Sequence, residues 1–443
     1  MDTTTVAIAM GVLVLVLASM RIPVAFVLLI TGVFGVGLIQ DWDTASSVLS
    51  KVPYDTPLSY TLVILPMFIA MGVLAKGGGL ATDGFALAAR LTRRLPGGLA
   101  VAAVAGCAVF AAVSGSSVAT VVTLGPIAVH EMRKHGYDLV VAAGVVGAAG
   151  TLGVLIPPSI VLVLYGILTG ESIGSLLLAG VIPGILTAVL FSAALIARAI
   201  ISPEKFGSDA SVDVQDEVAH VIRPVNLIKL ALLFTVVMGG IYTGLATPTE
   251  AAALGALVAL IFFVLDMVIN RAEGWRQESV NVFAESVRLT AMAMALLIGG
   301  AAFTYALVVA RVPSSFAQWI GDLEMPRLAI ACVILLGFVI LGMFIDGLSI
   351  LLIAVPMAYP AMMELGYDGI WFGILVVKTI EIGLITPPFG MNAYVLTGVS
   401  RDLSLGQAFR GVVWFLPLEV LVIGLLFLFP SIVTWLPTIS SAT

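Results

Sequence analysis

Apolar residues run along this chain in long, nearly unbroken stretches. Residues 6–18, 22–39, 57–74, 175–197, 227–245, 252–269, 292–310 and 412–436 are such runs, most of them long enough for a helix to cross the ~30 Å hydrocarbon core of a bilayer. Eight plain spans are expected. None of them alternates polar and apolar residues as barrel strands must, and in hydrocarbon only helices or closed barrels satisfy the backbone. The expected fold class is therefore an all-α integral membrane protein.

The pattern also repeats. His135-Gly136-Tyr137-Asp138 returns as Leu365-Gly366-Tyr367-Asp368, and the same 230-residue shift carries Pro96 to Pro326, Pro126 to Pro356, Gly153 to Gly383 and Pro157-Pro158 to Pro387-Pro388. A duplication of this kind marks secondary transporters. It divides the chain into a first repeat at 1–201, a polar linker at 202–224 and a second repeat at 225–443.

Charge gives the two copies opposite orientations, because Lys and Arg gather in cytoplasmic loops. The apolar stretch 97–129 lies between Arg93-Arg94 and Arg133-Lys134, so both ends belong inside. It is too long for one straight span, and it suits a re-entrant hairpin that turns at Ser114-Gly115-Ser116-Ser117. Its counterpart at 328–362 is flanked mainly by Asp322, Glu324, Glu364 and Asp368 and turns at Asp346-Gly347. With the N-terminus outside, sixteen of the twenty Lys and Arg fall inside, Lys51, Arg311 and Arg327 outside, and Lys378 within the membrane. The linker is then cytoplasmic and the halves are inverted.

After each hairpin comes an apolar segment interrupted at its centre, 139–169 by Pro157-Pro158 and 369–397 by Pro387-Pro388. A proline pair cannot continue a helix. Two broken helices are expected, with unwound backbone that is tolerated at mid-membrane only where it lines protein or water. Two tips and two breaks converging from opposite sides would supply half-helix ends and bare carbonyls for small ions and an anionic solute.

Composition narrows the function classes. Hydrophobic residues make up 60% and charged residues 10% of 443, and the net charge of −6 is scattered, without the basic stripe that nucleic-acid binding requires. No cationic n-region or small-residue cleavage site marks a signal peptide. Cys107 and Cys332 read as buried small hydrophobes. His130-Glu131 followed by His135 misses zincin spacing by one residue, no P-loop run occurs, and His130, His135 and His220 fall in loops, away from any serine. The chain is not expected to be an enzyme, and its energy should come from a gradient. Lys378 and Glu381, three residues apart on one helix, are expected to neutralise each other, with substrate contact by Lys378 as the sharper reading. Asp346 can cap the half-helix that follows it or serve the ion or substrate site.

The run at 112–120, Ala-Val-Ser-Gly-Ser-Ser-Val-Ala-Thr, resembles the first hairpin tip of the large membrane subunit of TRAP (tripartite ATP-independent periplasmic) transporters, DctM type, in the ion transporter superfamily. The run at 381–392, Glu-Ile-Gly-Leu-Ile-Thr-Pro-Pro-Phe-Gly-Met-Asn, resembles the second broken-helix signature of that family, and residues 21–26 and 65–68 extend the likeness over nearly the whole chain. The resemblance implies an elevator-type, inner-membrane transporter driven by sodium. It further implies a periplasmic substrate-binding protein that delivers an organic acid, and a small four-helix membrane subunit. With no fused segment before Met1, that subunit is expected as a separate chain. A self-sufficient sodium/anion symporter or a channel-like pore is the alternative.

Sodium sites should then form a symmetric pair. One lies between Ser114, Gly115, Ser116 and Ser117 and the break at Thr151 and Gly153; the other lies between Asp346-Gly347 and the break at Thr386, Gly390 and Asn392. Hydroxyls, an amide oxygen and freed carbonyls suit a hard cation. Ser116, Ser159, Asp346 and Asn392 are the candidate solute ligands.

Overall fold

The computed structural model describes residues 3–207, 224–270, 275–322, 325–400 and 403–441. The regular structure among them is helical, apart from one isolated bridge between Tyr137 and Phe206. The first half holds α1 (Thr3–Ser19), α2 (Val24–Ile39), α3 (Trp42–Leu58), α4 (Ile64–Gly77), α5 (Leu80–Thr92), α6 (Gly98–Ser114) and α7 (Ser117–Lys134). It continues with α8 (Leu139–Ala149), α9 (Leu152–Leu155), α10 (Ile160–Thr169) and α11 (Ile173–Ile201). The second half holds α12 (Pro224–Tyr242), α13 (Pro248–Asn270), α14 (Trp275–Val309), α15 (Val312–Gly321), α16 (Arg327–Gly342) and α17 (Gly347–Glu364). It ends with α18 (Gly369–Ile385), α19 (Met391–Val399), α20 (Leu405–Val413), α21 (Leu416–Leu428) and α22 (Ser431–Ser441). Glu324, Arg271, Arg401, His220 and most of the 202–224 linker lie outside the described residues.

Seven of these helical segments are long and apolar enough to cross a membrane, and the bent α8–α10 segment makes an eighth if counted as one span. The chain is a multi-pass membrane protein. The expected spans differ from the observed ones at both ends. The first two runs form helices of 17 and 16 residues, because the chain turns at Arg21, which takes a positive φ, and restarts after Pro23. The run 412–436 is not one helix. Residues 405–428 carry the span, with a turn at Trp414-Phe415 ahead of Pro417, and the helix stops at Phe429, where Pro430 has no N–H to continue it. The run 292–310 is the apolar end of α14, which at 35 residues is about 50 Å long and outreaches the hydrocarbon.

The 230-residue shift reappears in element boundaries. Residues 117–134 and 347–364 are both helices with those same ends, and α8 begins at Leu139 as α18 does at Gly369. Gly136 and Gly366 both adopt positive φ, and the Pro157-Pro158 and Pro387-Pro388 bonds are both cis. Packing follows the same relation. α2 lies on α14 and α4 on α13, while α10 lies on α17 and α19 on α7. The second half of each broken helix therefore leaves its own hairpin and packs on the hairpin of the other half. Small residues allow the close approaches: a Cβ at Gly32 of α2 would sit 2.6 Å from the Ala302 carbonyl of α14. The copies also differ, since α5 packs mainly on α6, whereas α15 packs mainly on α17, the second limb of its hairpin.

Cys107 is buried as expected, but Cys332 is exposed, on a face of α16 shared with Val333 and Leu336. His130 sits on α7 instead of in a loop.

Candidate functional site: hairpin tips and broken helices

α6 and α7 pack side by side and are joined by Gly115 and Ser116. Gly115 takes φ +60°, a conformation that costs an L-residue about 1–2 kcal/mol, and it ends α6. Ser116 is the N-cap of α7 and accepts the Ala119 N–H at 3.4 Å. This tip meets the first break directly. Ile160 donates its N–H to the Gly115 carbonyl at 3.4 Å, a Cβ at Gly115 would lie 2.6 Å from the Pro158 carbonyl, and a Cβ at Gly153 would lie 2.6 Å from the Ser116 carbonyl. Ser114 and Thr120 hydroxyls lie 3.1 Å apart, and Thr120 also donates to the Ser116 carbonyl at 2.8 Å. Ser159, fully buried, caps α10 by accepting the Leu162 N–H at 3.2 Å. Ser114, Gly115, Ser116, Ser117, Gly153 and Ser159 are thus gathered around one enclosed crossing.

Thr151 is not part of that gathering through its side chain. Its hydroxyl lies 2.7 Å from the Ala148 carbonyl and 3.2 Å from Glu419 Oε1. Glu419 is the main residue that the sequence reading missed. It lies fully buried on α21 and forms an ion pair with the fully buried Lys378 of α18. The expected Lys378–Glu381 neutralisation is therefore corrected: the ammonium reaches across to α21. Glu381 lies beside Ser117, within electrostatic reach of Lys378 but outside its ion pair. A single carboxylate inside the apolar run of α21 was the available signal, since an ionisable residue in hydrocarbon calls for a partner.

At the second crossing Asp346 caps α17 by accepting the Ser349 N–H at 3.1 Å and the Ser349 hydroxyl. The tip touches the break through Phe344 and Phe389, whose ring centroids are 5.4 Å apart. Gly347 faces Ile380, and α16 and α18 approach closely at Gly342 and Gly383. Thr386 ends α18 with its hydroxyl turned back to the Ile382 carbonyl, and Gly390, at φ +45°, starts α19. Asn392 does not join Asp346. Its Nδ2 donates to Ser117 Oγ at 2.8 Å and lies 3.5 Å from the Gly147 carbonyl, so the second break delivers this side chain to the first tip. Pro388 and Phe389 are exposed while Pro157 and Pro158 are buried, so the second crossing is the more open of the two.

Apolar helices long enough to span a bilayer, broken at a buried polar centre and crossed by helical hairpins, define a multi-pass membrane transporter. Solved transporters share the fold: the chain aligns with the YdaH transporter of Alcanivorax borkumensis at a TM-score of 0.64 and 16% identity, over 88% of this chain and 89% of that one. It aligns with MtrF of Neisseria gonorrhoeae at 0.58 and 14%, over 87% and 83%.

Residues 11–432 match the family model for the tripartite ATP-independent periplasmic transporter, DctM component, and the chain belongs to that family. It is 36% identical to the C4-dicarboxylate TRAP transporter large permease of Pseudomonas aeruginosa, over 90% of each chain. It is 30% identical to the sialic acid TRAP large permease of Vibrio cholerae, over 86% of each, and 32% identical to the ectoine TRAP large permease of Halomonas elongata, over 85% and 86%. These relatives are transport permeases, not enzymes. Large permeases of this family work with a periplasmic binding protein and a small membrane subunit.

Proposed function

We propose that this chain is the sodium-coupled large permease of an inner-membrane TRAP transporter, taking up an organic acid by elevator-type alternating access between two inverted repeats. A periplasmic binding protein hands over the acid, and a small four-helix subunit, as a separate chain, braces the permease; one relative instead has a name that joins DctM and DctQ. The contact of the first tip with the first break, Gly115 against Pro158 and Ser116 against Gly153, carries the reading. It brings hydroxyls and helix-end carbonyls into one enclosed place, the donor set a hard monovalent cation prefers.

In this reading one sodium lies among Ser114, Gly115, Ser116, Ser117 and Gly153, and another among Asp346, Gly347, Thr386 and Gly390. The solute lies between the tips, with Ser116 and Ser159 as hydrogen-bond partners. Sodium orders the tips before the solute arrives. The names of the relatives, for a C4-dicarboxylate, sialic acid and ectoine, support a carboxylate-bearing solute, and the choice among such acids rests with the binding protein.

The test is uptake into proteoliposomes holding the full complex. Ser116→Gly and Thr386→Ala should each raise the sodium concentration for half-maximal uptake at least several-fold while assembly is kept. Glycine is chosen at 116 because it costs a helix N-cap only a few tenths of a kcal/mol. An unchanged sodium dependence in both assembled variants would show that the ions bind elsewhere.

A further inference from the structure

The buried centre holds two carboxyl groups and a single ammonium. Lys378 and Glu419 are fully buried and paired, which leaves Glu381, 2% exposed, as a second carboxylate beside a single ammonium. An unbalanced carboxylate in such a place is costly. Ser117 lies beside the Glu381 carboxyl and accepts from Asn392 Nδ2 at 2.8 Å, so carboxyl and amide flank one hydroxyl. Their remaining oxygens, Glu381 Oε2 and Asn392 Oδ1, are both buried, and no hydrogen-bond donor among the described residues reaches either. Two orphaned acceptors around a shared hydroxyl, one of them a carboxyl oxygen, suit a cation. The Gly147 carbonyl, beside Asn392, adds a further oxygen.

We propose that Glu381, Asn392, Ser117 and the Gly147 carbonyl form an additional sodium site on the far side of the Ser117 hydroxyl from the first tip-and-break site, which it adjoins through Ser117 and from which it differs by having a carboxyl group. It ties the first hairpin (α7), the first broken helix (α8) and both halves of the second broken helix (α18 and α19) to one ion. An ion there would let Glu381 ionise beside the Lys378–Glu419 pair, which leaves it no ammonium of its own. The proposal rests on the sodium-coupled reading above.

The test is equilibrium binding of radioactive sodium to the purified full complex. Glu381→Gln should bind one sodium fewer per chain than the natural protein, with the remaining ions held within about twofold of their natural affinity. Asn392→Ala should weaken one ion at least tenfold, and it carries the test alone if Glu381→Gln does not assemble. An unchanged sodium count in assembled Glu381→Gln, or in its absence unchanged affinities in Asn392→Ala, overturns this site and leaves the other two standing, including the case where a proton balances Glu381. A natural complex that binds no sodium at all overturns the sodium-coupled reading itself.

Discussion

Replacing Lys378 by methionine removes an ammonium of similar length and leaves Glu419 facing an apolar surround. Both partners of the pair have 0% exposed side chains, so solvent screening does not shrink the effect. Two unit charges about 4 Å apart at an effective dielectric of about 20 attract by about 4 kcal/mol, and removing one member of a buried pair typically costs about 3–5 kcal/mol because the other is stranded. Lys378→Met should therefore lower the stability of the purified complex by about 3–5 kcal/mol. Lys378→Met/Glu419→Leu should recover most of that loss, since swapping a buried pair for apolar groups of like volume is often close to neutral. Lys378→Met/Glu381→Leu should recover far less, because the carboxylate stranded by the loss of the ammonium is its ion-pair partner Glu419. The readout is denaturant or thermal unfolding of the complex in detergent, taken as a double-mutant cycle. Rescue by Glu381→Leu and not by Glu419→Leu would mean that Lys378 serves its neighbour on α18 and that the α18–α21 pairing is wrong.

Two other outcomes are expected. Gly115→Ala should cut uptake at least tenfold with assembly intact, because its Cβ would press on the Pro158 carbonyl; Gly79→Ala, at a similar φ but with nothing within 4 Å, imposes the same kind of backbone strain and should leave uptake nearly unchanged. Equal effects of the two would take the tip-and-break contact out of the mechanism. Lys134→Cys and Glu364→Cys, made singly in a Cys332→Ser background, occupy exposed, matching ends of α7 and α17. A membrane-impermeant thiol reagent should label them from opposite sides, and labelling of both from one side would rule out inverted repeats.

The sequence by itself determined that the chain is helical and where its first hairpin tip and its two proline breaks fall. Continuous apolarity leaves a chain in hydrocarbon no option but helices, and glycine and proline act on backbone torsions locally, so the tip at Gly115-Ser116, both proline breaks and the 230-residue register were legible before any packing was known. Asp346 is such a case, since its carboxylate serves the backbone three residues on. What lies far apart along the chain was not legible. Lys378 reaches Glu419 instead of Glu381 because the crossing of α18 and α21 decides which carboxylate the long side chain meets. Asn392 leaves the second tip for the first because α19 packs on α7 of the other half. Thr151 turns to Glu419 for the same reason. Spacing within one helix fixes only which residues share a face, whereas the pairing of buried charges depends on which helices the folded chain sets side by side, and that is decided by the tertiary packing.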